Sequence, residues 1–292
     1  MSESSGASPR VAVVTDSTAT LRPEVAERWG ITVVPLQVVV GAHSYDDGVD
    51  PECAPDRIAE ALKRFLPVST SRPSPAVVLE AYERAAEAGA EEIVSVHVSS
   101  QVSATLESAQ LAAKESPVPV HTVDSCQIGA ATGFAAVSAA AAVAGGATGL
   151  EAADVARRRA HSAVSLFYVD TLEHLRRGGR VGAASALLGS ALAVKPILQV
   201  VEGRVAPLGK VRTAGRALAR LEELAVDAAG DQEIDLAVCH LAARDQAEAL
   251  AGQLATRLEQ GLGGRDVELT EVPAVLGAHV GPGLVGVVVA PR

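Results

Sequence analysis

The chain predicts an α/β fold: a mostly parallel N-terminal sheet with flanking helices, followed by a mixed α/β domain. Three observations lead there. Short apolar runs alternate with longer amphipathic segments, as in successive βα units. Two of those runs end in hydroxyl-rich turns, Asp16-Ser17-Thr18 and Ser99-Ser100, where open α/β sheets bind ligands. Beyond residue 163 the alternation gives way to a hairpin and more widely spaced strands.

In chain order, the Ser-rich residues 1–9 predict a short disordered tail. Arg10-Val-Ala-Val-Val-Thr15 reads as a buried strand, and a helix follows at 23–29. Strands are expected at 31–34 and 36–40, around Pro35. Pro51 opens a helix to about Arg64, and Pro75 another to Ala88. Strand 93–98, helix 104–114, strand 118–122 and helix 130–144 complete the alternation. Helix 150–161 leads to strand 163–169, with the domain boundary placed near 163, giving domains 10–163 and 164–292. Helices are then expected near 171–177 and 182–192. The runs 197–201 and 204–208, joined by Glu202-Gly203, predict a hairpin. Helix 212–228, strand 234–239, helix 244–259 and strands 266–272 and 284–289 finish the chain.

The 292 residues include 48% hydrophobic side chains but only 2% aromatic ones, so the core is built from Ala, Val and Leu. With few aromatic platforms and a net charge of −10, a nucleic-acid partner is not expected. Cys53, Cys126 and Cys239 are widely separated and odd in number, which suits a reducing cytoplasm better than a disulfide framework. The uncharged run 127–150 is Ala-rich rather than Leu-rich and contains five glycines. It reads as a buried helix, and no transmembrane segment is expected.

Ser99, Ser100, Ser103 and Thr105 crowd the turn before helix 104–114, so the turn is either an ordinary cap or an anion site. In Thr70-Ser71-Arg72-Pro73-Ser74-Pro75, Ser74 suits the helix cap, which leaves Thr70 and Ser71 free to meet a ligand. His279 is expected in a tight loop between a strand and the Gly281-Pro282-Gly283 turn, as a structural group or a head-group contact. Gly281 to Gly286 matches GxGxxG, but only six residues remain after it, too few for a dinucleotide unit. The segment 203–210 lacks Walker A spacing, so no ATP site is credible. No HxH or HExxH pattern marks a metal, and no cofactor is expected. Arg176-Arg177-Gly-Gly-Arg180 is a basic knot in an acidic chain: a solvated helix end, or a contact for a partner or phosphate. A serine near 99–103 acting with His279 leaves a hydrolase or acyltransferase open, although no GxSxG elbow is present.

Taken in order, Val14 to Ala19, Thr70-Ser71 with Pro73-Ser74, Ser99 to Thr105, Val123 to Ser125, Leu175 to Val181 and His279 to Gly283 resemble the DegV family of bacterial fatty-acid-binding proteins. The resemblance implies a two-domain DegV-like fold holding one long-chain fatty acid between its domains. It implies a carrier rather than a complete enzyme, presenting the carboxylate to a separate ATP-dependent fatty acid kinase that makes the acyl-phosphate. It assigns carboxylate binding to Thr70, Ser71, Ser103, Thr105 and His279, and partner docking to the surroundings of Arg180, with Arg176 and Arg177 beside it. The sequence departs from the family pattern at Arg72, Ala104 and Leu284, and Leu284 is placed to narrow the mouth of the site. A lipid sensor without catalysis is the remaining alternative.

Overall fold

The computed structural model describes residues 10–187 and 194–292. The expected tail at 1–9, and the part of the expected helix 182–192 beyond residue 187, lie outside them.

β1 (Val11–Asp16), a single 3-10 turn and α1 (Pro23–Trp29) lead to β2 (Ile31–Val34). Then β3 (Gln37–Val40) and β4 (His43–Asp46) precede α2 (Pro55–Lys63). The helix expected from Pro51 begins only at Pro55; residues Pro51–Cys53 form a separate 3-10 turn. Pro55 explains the break, since proline is tolerated in a helix's first turn but disrupts its interior. β5 (Val68–Ser71), α3 (Pro75–Glu87), β6 (Glu92–His97), α4 (Thr105–Glu115), β7 (Val120–Asp124), α5 (Ala130–Ala144) and α6 (Gly149–Ser162) follow. α6 starts with a full capping box between Thr148 and Glu151.

From there the chain forms β8 (Val164–Tyr168), α7 (Glu173–Arg177), a 3-10 segment at Gly182–Leu187, β9 (Lys195–Val201) and β10 (Arg204–Val211). The β9–β10 turn is Glu202-Gly203, both with positive φ (49° and 77°), as a two-residue hairpin turn of type I′ requires. α8 (Ala214–Ala229), β11 (Ile234–His240), α9 (Arg244–Arg257), α10 (Glu259–Leu262), β12 (Glu268–Glu271), α11 (Ala274–Val280) and β13 (Val285–Pro291) complete the chain.

Three sheets result. The first is parallel, in the order β2-β1-β6-β7. The second is mixed, in the order β10-β9-β8-β13-β11-β12, with β8, β11 and β12 running one way and β13 against them. The third is a small antiparallel sheet, β4-β3-β5. This third sheet corrects the sequence reading. Thr70 and Ser71 are strand residues, paired with Val38 and Gln37, not loop residues. Val-Ser-Thr-Ser has no apolar alternation of its own; the neighbouring Val-rich β3 supplies the partner. His279 is also corrected. It sits in the last turn of α11, a helix of seven residues too short and too uniformly apolar to show a 3.6-residue period.

One apolar cluster ties the layers together. Ala130, Ala131 and Phe134 of α5 pack with Leu198, Ala237, Val288 and Leu284 of the mixed sheet and its entry loop, and with Leu172 and Leu175 around α7. A second cluster joins α2 to α11 through Ile58, Leu62, Val275 and Ala278. Among the described residues no helix is long and apolar enough to cross a membrane.

Candidate functional site

A cavity lies where these layers meet, enclosing with its mouth about 970 Å³. Its floor is the inner face of the mixed sheet. The strand register sets Cys239, Gly286 and Phe167 in one cross-strand row and Ala237, Val288 and Ser165 in the next. Opposite stand the strand-end turns of the parallel sheet (Thr18, Thr20, Val98, Val102, Ser103), the start of α5 with Ile128 before it, and one side of α11 (Val275, Leu276, His279, Val280). The wall is overwhelmingly aliphatic, and Phe167 is its one phenyl ring.

Four of the sequence-selected residues converge on the cavity: Thr70, Ser103, Arg180 and His279. Thr70 Oγ1 lies 2.8 Å from His279 Nε2. His279 Nδ1 is buried and has no partner among the described residues. Burial, with Arg180 facing the ring, pushes the His279 pKa down to about 4, so the ring is neutral at pH 7. A neutral imidazole carries one N–H. Placing it on Nδ1 would bury a donor with no acceptor, so it belongs on Nε2, donated to Thr70. Thr70 then has its own proton free to donate.

Ser103 is backed in the same way. Thr105 is fully buried, and its hydroxyl lies 2.8 Å from Ser103 Oγ. That is the sole side-chain partner of Thr105 among the described residues, so Thr105 donates and Ser103 accepts. The Thr105 backbone N–H adds a second, longer bond to Ser103 Oγ at 3.3 Å. Ser103 is left with a proton to give. Arg180 completes this end: its Nε donates to the Val102 carbonyl at 2.9 Å and its Nη1 to the Gly178 carbonyl at 2.5 Å. Among the described residues its other guanidinium nitrogen has no hydrogen-bond partner. Among the described residues the cavity therefore has one end furnished with donors and a single cation, Arg180.

Ser71 and Thr105 do not line the cavity. Along β5 the burial alternates, so Ser71 faces away from Thr70, and its hydroxyl bonds the Arg72 carbonyl at 3.3 Å. Thr105 stands behind Ser103 as its hydrogen-bond donor. Arg176 and Arg177 are exposed, and both grip Glu173: Arg176 at 2.7 Å and Arg177 at 2.8 Å. Their hydrogen bonds pull the Glu173 carboxyl down to about 2. Arg180 differs from these two. It is half-buried in the cavity wall rather than an open surface handle. Arg72 reaches the Ala104 carbonyl at 3.2 Å and Glu107 at 2.6 Å, bracing the turn that carries Ser103.

Gly178 and Gly281 matter here for close approach. A Cβ on Gly178 would lie 2.9 Å from His279 Cε1 and closer still to Nδ1. Gly281 abuts the ring of His174 in the same way. The α7 loop and the Gly281-Pro282-Gly283 turn thus interlock around the donor-rich end.

Sequence reasoning missed a buried chain behind the cavity. Tyr82 OH donates to Ser95 Oγ at 2.8 Å, Ser95 Oγ meets His97 Nε2 at 2.7 Å, and His97 Nδ1 meets Asp16 Oδ2 at 2.9 Å. Asp16 also accepts from Val98 N at 3.1 Å, Thr18 N at 3.0 Å and Thr18 Oγ1 at 2.5 Å. The order serine–histidine–aspartate is that of a hydrolase, but all three residues are fully buried and Ser95 faces Tyr82. Their evident work is to fix the two strand-end turns that form the cavity wall. The available signal was alternation: Ser95 and His97 share one face of an otherwise apolar strand. His279 is placed no better for hydrolysis, because its Nε2 engages Thr70 and no carboxylate among the described residues orients its Nδ1.

The DegV family model, described as an uncharacterised protein of the DegV family, matches residues 10–292. This chain belongs to the DegV family. A DegV domain-containing protein of Streptomyces coelicolor is 52% identical over 285 residues, covering 98% of this chain and all of its own (100%). One from Mycobacterium tuberculosis is 37% identical over 284 residues, covering 96% of each. Among solved structures, a DegV family protein from Thermus thermophilus described by its fatty acid binding superposes with a TM-score of 0.89 at 31% identity, covering 97% of this chain and 100% of that one. The Bacillus subtilis DegV, described as a fatty acid binding protein, superposes at 0.87 with 30% identity, covering 98% and 100%.

Proposed function

We propose that this DegV protein holds one long-chain fatty acid in the cavity, with the carboxylate at the Thr70–Ser103–His279–Arg180 end. It presents that carboxylate to a separate ATP-dependent kinase for acyl-phosphate formation. The observation that carries the reading is the polarity of the cavity. One end offers hydroxyl protons, each backed by a second donor, beside a cation; the rest is predominantly aliphatic. Burying each methylene contributes about 0.8 kcal/mol, so a tail of roughly 14 methylenes contributes about 11 kcal/mol before association costs. The tail supplies affinity and the hydroxyls supply orientation. The exposed Arg176 and Arg177 beside this end, and a sequence with no phosphate-binding loop, support a kinase arriving as a second protein.

The experiment is native mass spectrometry of the purified protein, then titration with palmitate and oleate for the wild type, Thr70→Ala and Ser71→Ala. One acid per chain is expected. Thr70→Ala should weaken binding by about 1–3 kcal/mol and depress acyl-phosphate formation with a purified cognate kinase further still, while Ser71→Ala should leave binding unchanged. A bare polypeptide mass with no uptake of either acid overturns the binding reading. Uptake with no phosphorylation by the kinase overturns the presentation step alone.

A further inference from the structure

The aliphatic part of the cavity is not free of hydroxyls. Thr18, Thr20 and Ser165 line it, and each has its proton committed to the protein. Thr18 Oγ1 donates to the Asp16 carboxylate at 2.5 Å, and Thr20 Oγ1 to the Thr18 carbonyl at 3.1 Å. Both partners can only accept. Ser165 Oγ lies 2.9 Å from Gln127 Oε1. The amide is held the right way round, because Gln127 Nε2 donates to the Ala160 and Ala163 carbonyls at 3.2 and 3.0 Å. Ser165 must therefore be the donor. These hydroxyls offer the cavity lone pairs only, the reverse of the head end, where Thr70 and Ser103 offer protons.

Ser165 stands in the second floor row, opposite Val288, and is itself buried. Val288 is four residues along the chain from the buried Leu284, which also lines the cavity, or roughly 13 Å at the rise of an extended strand. A saturated alkyl chain passing this point has no donor to give, and it strips water from buried acceptors. A chain with a hydroxyl at that depth meets an acceptor already positioned.

We propose that the cavity selects acyl chains carrying a hydroxyl part-way along, donated to Ser165 Oγ deep in the apolar floor. This rests on the fatty-acid reading above and narrows its substrate class. Unmodified stearate fits the same space but leaves the acceptor unmet. A hydroxyl that reaches none of these acceptors is buried without a partner and is penalised.

The test is a displacement titration of the full-length protein with stearate and a positional series of monohydroxystearates, for the wild type, Ser165→Ala and Ser165→Thr. In the wild type, one position should bind about three- to tenfold tighter than its neighbours. That preference should vanish in Ser165→Ala and persist in Ser165→Thr. Using the ratio to stearate within each variant cancels general effects on the fold. If Ser165→Ala does not fold, the positional series on the wild type still decides: affinity independent of hydroxyl position, or every hydroxy acid bound at least about tenfold weaker than stearate, overturns the proposal. The same preference surviving in Ser165→Ala also overturns it. Failure of stearate itself to bind would instead count against the fatty-acid reading.

Discussion

Replacing Gly178 by alanine tests the head-end geometry with one methyl group. Gly178 has φ −73°, which any residue adopts, so the substitution brings no backbone strain and acts through its Cβ alone. That atom would lie 2.9 Å from His279 Cε1, against 3.4–4 Å for ordinary contact. The ring must retreat by at least about 0.5 Å there, the difference of those two distances, and further at Nδ1. Retreat carries the ring toward Thr70, whose Oγ1 already sits 2.8 Å from Nε2, so that bond must bend or break. Overpacking of this kind typically costs about 1–3 kcal/mol of stability. Thr70 meanwhile loses its backing donor, and a hydrogen bond to a charged group is worth about 1.5–3 kcal/mol. Palmitate affinity should fall at least about tenfold, as read by calorimetric titration beside urea unfolding of the same preparation. Gly179→Ala is a poor control because its φ is +72°; Gly209→Ala is suitable, with open space around its Cβ. Unaltered palmitate affinity in a folded Gly178→Ala protein would refute the role given to the His279–Thr70 pair.

Two further outcomes follow from buried titrating groups and bonds. The His279 pKa is depressed from 6.5 to about 4, so the folded state holds fewer protons than the unfolded chain between those values. Its contribution is present above about pH 6.5 and is lost as pH falls through 4. Burial raises Asp47 from 3.8 to about 6, which acts oppositely: its penalty at neutral pH is relieved as pH falls through 6. The unfolding free energy of the wild type minus that of His279→Gln isolates the histidine. It should decline from pH 7 to 4 by at most about 3 kcal/mol, and a flat difference would exclude a buried neutral ring. Asp16→Ala removes the acceptor of four hydrogen bonds and should destabilise the protein by about 3–5 kcal/mol in urea unfolding; a loss below about 1 kcal/mol would show that the buried chain does not hold the strand-end turns.

The sequence by itself determined the βα alternation, the β9–β10 hairpin at Glu202-Gly203, the family, and the residue types of the head end, because these are local patterns or short motifs. Thr70, Ser103, Arg180 and His279 were each legible as polar groups in unusual company. The structure alone decided their grouping. Thr70 and His279 are separated by 209 positions and meet only because β5 joins β3 in a sheet packed under α11. The difference between Thr70 and Ser71 comes from strand pairing, which sends alternate side chains to opposite faces. Thr105 and Ser103 share one turn, yet only burial makes the first a donor to the second. Arg176, Arg177 and Arg180 read as one basic knot. Folding splits them, with the first two on Glu173 at the surface and the third in the cavity wall. Composition and spacing fix which groups a chain possesses. The direction in which each hydroxyl points its proton depends on neighbours far away in sequence, and so on the tertiary structure.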